Sequence, residues 1–279
     1  MADAGWRSKR SVAIAPQPGG QAARPTGGGR IAMRVLWCVA VLAIGSAQGQ
    51  QQQPGQGANF YSKDKEIALG QQQALDFRQK TTPLGIADAS DYVSRVGANL
   101  AAQFPGGWTY RIETIREDQG GATHEPTAFP GGPIFVSVHL IAAARNEAEF
   151  AGMLAHAMAH VVARHGTRMA TKGALVAGYP SGPGTLSKPV PLGMLAFQRG
   201  MEAEADYLAV KAMAAAGYDP SGLASYLGRV QSARDPAGVS ATLPPRDRRV
   251  AAIQAEVRKL PAGNYSAGDE FARVQAEVK

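Results

Sequence analysis

The segment that most constrains this chain is NEAEFAGMLAHAMAHVVAR, residues 146–164. It is Ala-rich and free of proline, so it reads as one long helix, with Asn146 placed to cap it. Inside it His156 and His160 stand four residues apart, on one face and one turn from each other. Two imidazoles so placed can converge on one metal ion, although such a pair alone is more often surface decoration. A second helix, read over residues 196–215 and ended by Gly217, repeats the spacing with acids, Glu202 and Asp206. Glu202 can supply a third ligand. Asp206, one turn on, can accept a hydrogen bond from the outer nitrogen of a ligating imidazole and fix its tautomer. The competing reading of these two acids is a solvated helix face. Three protein ligands with a fourth position open form the catalytic zinc arrangement, so Zn2+ is the expected cofactor. A third His ten residues after the first would fall on Gly166, so that pattern is absent. His165 is five past His160, about 140° off the ligand face. It reads as an outer partner of the site or as surface.

The remaining pattern is mostly helical. Helices are expected over residues 62–79, 87–103, 220–231, 246–259 and 269–278. Residues 108–115 alternate apolar and polar and read as a strand; residues 134–138 read as a short second one. Residues 178–193, rich in Gly and Pro, read as a loop. A small sheet inserted among helices gives an α+β class.

Ahead of this domain, residues 35–45 form an apolar run of 11 residues, preceded by Arg34 and followed by Ser46 and Ala47. That is a secretory signal, with cleavage expected near residues 47–49, and too short a run to span a bilayer comfortably. Translation could begin at Met33. Residues 1–49 are therefore read as an extension and signal, 50–58 as a Gln/Gly-rich linker, and 59–279 as the folded domain. Six basic residues and one acid in residues 1–49 account for +5 of the net +7. The folded part is nearly neutral, which leaves no basic footprint for nucleic acid. Cys38 is the single cysteine, so neither an internal disulfide nor a thiolate metal cage is possible. The mature protein is expected to be exported, periplasmic or secreted, with membrane association at most peripheral.

From about Asn59 onward the chain resembles the M48 (Ste24-like) zinc metallopeptidases, in their soluble exported bacterial form. The resemblance rests on five ordered segments: NFYSKDKEIALGQQQA, PGGPIFVS, EAEFAGMLAHAMAHVVARH, RGMEAEAD with AGYDP, and LPPRDRR. It implies a mainly helical zincin-like fold with a small sheet beside the active-site helix. It also implies zinc held by His156, His160 and Glu202, with Asp206 behind them. The strand Ile134, Phe135 and Val136 would pair with extended substrate by strand addition. Extended or unfolded polypeptide segments are then the expected partners.

The departures from the family pattern carry as much weight. Ala157 stands where the family has the Glu of HExxH, which takes a proton from water and gives one to the leaving amine. A positioned base of that kind adds about 10²–10⁴-fold, and a methyl group cannot replace it. Glu149, seven residues before His156, lies about 10.5 Å from it along the axis, and Glu204 points away from the Glu202–Asp206 face. The family Asn before the double Gly falls on Glu125, and the family His before the double Pro on Leu243. The expectation is a zinc-binding, peptide-binding pseudopeptidase. The alternatives are an active zinc metalloendopeptidase of envelope protein quality control with a displaced base, Glu125 being the candidate, and a purely structural module.

Overall fold

The computed structural model describes residues 54–116, 124–175, 192–231, 243–265 and 268–279. The expected signal and most of the loop at 178–193 lie outside these residues. In chain order the first elements are α1 (Lys63–Arg78), β1 (Thr82–Pro83), α2 (Ala87–Ala101), β2 (Arg111–Arg116), β3 (Thr127–Ala128) and β4 (Pro133–Ser137). Then follow α3 (Val138–Ala143), α4 (Glu147–Val162), α5 (His165–Leu175) and α6 (Leu192–Ala215). The last are α7 (Ser221–Val230), α8 (Arg246–Val257) and α9 (Glu270–Val278). The class is α+β, mainly helical, with one four-stranded sheet ordered β1-β2-β4-β3.

The centre of the fold is α4. Asn146 caps it as its sequence promised, its side chain accepting the Glu149 N–H at 2.9 Å. Of its 16 residues 13 are buried, so it is packed on every side rather than on one stripe. Helices α6, α7 and α2 and strand β3 lie against it. The approach of α7 depends on Gly222, where a Cβ would sit 2.4 Å from the Ala148 carbonyl carbon. At the far end Tyr92, Phe150 and Phe271 pack ring to ring at 5.7–5.9 Å between centroids. That aromatic cluster ties α2 and α9 to the base of α4.

Two helices, and the two-residue strands β1 and β3, escaped the pattern reading. Ser137 ends β4 and caps α3 at once, accepting from the His139 N–H. Helix α5 was hidden by its glycines and threonines, which are weak helix formers. It begins directly after Arg164, the one non-glycine among the described residues with a positive φ, +57°. That left-handed residue ends α4 and turns the chain. Its guanidinium is held by Glu66 at 2.6 Å and by the Tyr61 carbonyl at 2.6 Å. Helix α6 starts at Leu192, four residues earlier than expected.

The sheet requires one correction. Strand β4 is not at an edge: Ile134 and Phe135 pair with β2 on one side and β3 on the other, and Val136 pairs with Thr114. All three are buried. The main chain of Ile134, Phe135 and Val136 is thus already paired within the sheet. Among the described residues the edge on that side is β3. The Phe129–Gly132 turn joins β3 to β4, with Gly131 at φ +79° and Gly132 at φ +120°. At both glycines neighbouring main chain leaves no room for a Cβ.

Candidate metal centre

Packing of α6 on α4 turns two separate i,i+4 pairs into one cluster. The Nε2 atoms of His156 and His160 lie 3.0 Å apart. Glu202 straddles them, with Oε2 3.5 Å from His156 Nε2 and Oε1 3.5 Å from His160 Nε2. Zinc bonds of 2.0–2.2 Å at tetrahedral angles place neighbouring donors about 3.3–3.5 Å apart. The three donors therefore fit a zinc ion with only small adjustment. Among the described residues, His156, His160 and Glu202 form the sole group of metal-capable side chains this close together.

Behind them stands a charged layer. His156 Nδ1 is 2.9 Å from Asp206 Oδ1, the outer contact expected from the spacing. Arg249, 3% exposed, clasps Asp206 through two nitrogens at 2.7 and 2.9 Å and reaches Glu202 at 3.3 Å. The sequence reading gave Arg249 no role. The available signal was its position four before Ile253, on the face of α8 that turns inward.

Burial opposes charge on all these groups, and their neighbours decide the outcome. Burial lowers His156, but hydrogen bonds to Asp206 and Glu202 outweigh it and raise the group to about 9. His160 is lowered to about 3 by burial and by the adjacent His156. At neutral pH the pair therefore carries one positive charge, on His156, close to where a cation would sit. Burial would raise Glu202 and Asp206, yet the His156 hydrogen bond and nearby positive charge hold both below the usual carboxylate range.

The centre opens into a cleft of about 370 Å³. Its floor is His156, Ala157, His160 and Glu202; Ala128, Phe129 and Pro130 form one wall. Ala157 is 3% exposed and presents its methyl to this space. Other carboxylates are differently placed. Glu149 is buried and bound by the Arg145 N–H, Ser225 and Arg229. Glu204 faces His165 and Arg168. Glu125 is exposed and borders the cleft, as does the buried Glu66, which the sequence reading did not single out. Leu243 is half-buried and is not among the cleft-lining residues. His165, left open between two roles, is 3% exposed and touches His160.

A buried helix carrying two imidazoles one turn apart, with a carboxylate from a second helix, defines a metallopeptidase-type centre. The model of Peptidase family M48, a family of zinc metallopeptidases, matches residues 90–257, and the chain belongs to that family. It is also similar to the Beta-barrel assembly-enhancing protease of Yersinia pestis, 26% identical over 187 residues. That alignment covers 60% of this chain and 37% of the relative, so the chain spans well under two thirds of the relative's length.

Proposed function

We propose that this chain is an exported M48 protein that binds zinc and an extended polypeptide segment but hydrolyses peptide bonds poorly or not at all. The observation that carries this reading is the methyl of Ala157 in the cleft beside His156 and His160. Zinc, when bound, supplies Lewis-acid activation of water and of a carbonyl. His156, His160 and Glu202 would hold it, and Asp206 orients His156. What the chain lacks at position 157 is a group to move a proton.

Peptide recognition falls to β3 instead of β4. Phe129 donates to the Pro133 carbonyl, and Thr127 pairs with Phe135 in the same antiparallel ladder. Alternation of the ladder then turns the N–H and C=O of Ala128 outward. Ala128 also lines the cleft. A segment pairing there would run beside the metal ligands and suits an unfolded partner. Export rests on the signal-like residues 35–47, and no described helix is long and apolar enough to cross a membrane.

The second reading, an active endopeptidase with a displaced base, is favoured by one observation: Glu125 borders the same cleft. Hydrolysis of an unfolded protein by the natural form and by Ala157→Glu decides between the two. The expected outcome is negligible turnover by the natural form and a gain of roughly 10²-fold or more in the variant. Turnover by the natural form comparable to active relatives, abolished by Glu125→Gln, would establish the displaced base instead.

A further inference from the structure

Both imidazoles must present a bare Nε2 to a metal ion, so both must carry their proton on Nδ1. His156 achieves this directly through Asp206, at 2.9 Å. His160 has no carboxylate at its outer nitrogen. Its Nδ1 lies 3.0 Å from Nδ1 of His165, and Nε2 of His165 lies 3.2 Å from Glu204 Oε2. Glu204 is pinned in turn by Arg168 Nη1 at 3.0 Å and by the Gly55 N–H at 3.3 Å.

The direction of this chain of contacts follows from its far end. An ionised carboxylate only accepts. His165 therefore donates from Nε2, which leaves a lone pair on its Nδ1. That lone pair is satisfied only if His160 donates from Nδ1. Neutral His160 then has its bare Nε2 on the side of His156 and Glu202, where the metal belongs.

The break in α4 makes the contact possible. Arg164 turns the chain, so His165 heads a new helix and folds back beneath His160. On one continuous helix it would stand about 140° away.

We propose that Glu204 and His165 are positioning residues of the metal centre, the carboxylate of Glu204 fixing the tautomer of His160 through the imidazole of His165. This rests on the zinc reading above. The test is zinc affinity of the full chain by competition with a chelator, alongside the visible spectrum of the cobalt(II) form. His165→Ala is expected to weaken zinc binding roughly 10–100-fold, and Glu204→Gln about tenfold. His165→Gln, whose amide can accept from His160 and donate to Glu204, is expected to recover most of the loss. Cobalt spectra should shift in His165→Ala and return in His165→Gln. Wild-type affinity in a folded His165→Ala or Glu204→Gln overturns the proposal, as does equal loss in His165→Ala and His165→Gln, which would mark a packing role. Should His165→Ala fail to fold by circular dichroism, Glu204→Gln decides alone. Failure of the unsubstituted protein to bind zinc overturns the zinc reading itself; bound zinc with unchanged variants overturns only the relay.

Discussion

At the residue scale the proposed zinc centre sets a proton against a cation. His156 is held near 9 by Asp206 and Glu202 against the lowering effect of burial, while His160 stays neutral. Zinc must therefore displace one proton at neutral pH. Apparent zinc affinity is expected to rise about tenfold per pH unit between roughly pH 5 and pH 8, with about one proton released per ion bound. Calorimetry in buffers of different ionisation enthalpy measures that proton directly; no pH dependence over this range would mean the site binds without discharging His156. Legibility at this scale was uneven. His156, His160, Glu202 and Asp206 could be read because i,i+4 spacing is a property of one helix. Arg249 and the Glu204–His165 contact could not, because each partner comes from a different element and no spacing rule links them.

At the element scale, α4 positions the candidate metal ligands, and among the described residues β3 is the edge of the sheet beside them. The expected substrate strand turns out to lie inside the sheet, because an apolar run such as PIFVS reveals burial but not neighbours. Strand order is a tertiary fact, and it puts PIFVS between two partners. Thr127 and Ala128 are too few to announce a strand by alternation. The edge assignment yields its own test. Ala128→Pro removes the outward N–H, and proline is tolerated on a strand edge. It is expected to weaken binding of an extended peptide by roughly tenfold, about one hydrogen bond, without changing zinc affinity. Fluorescence anisotropy of a labelled unstructured peptide measures the first and chelator competition the second. Unchanged peptide affinity would place recognition elsewhere.

At the scale of the whole molecule, the candidate metal ligands bridge the closely packed pair α4 and α6. Glu202 and Asp206 come from α6 and the two imidazoles from α4, with Arg249 of α8 tied to both acids. A cation at that junction should stabilise the folded state by mass action, about 2.7 kcal/mol at a hundred times its Kd. Thermal unfolding is therefore expected to fall by several degrees on adding a chelator and to recover with zinc. A melting temperature indifferent to both would separate the centre from the fold.

The sequence by itself determined the class, the central helix and its cap, the two i,i+4 pairs, and the methyl that stands at position 157. Each of these is written in local spacing or in the identity of one residue. Only the tertiary structure decided that the pairs meet, that β3 and not β4 borders the cleft, and that Arg249, His165 and Glu204 stand behind the ligands. The reason is physical: periodicity fixes which side chains share a face, whereas the packing of glycine-lined crossings and a left-handed turn at Arg164 fixes which faces meet.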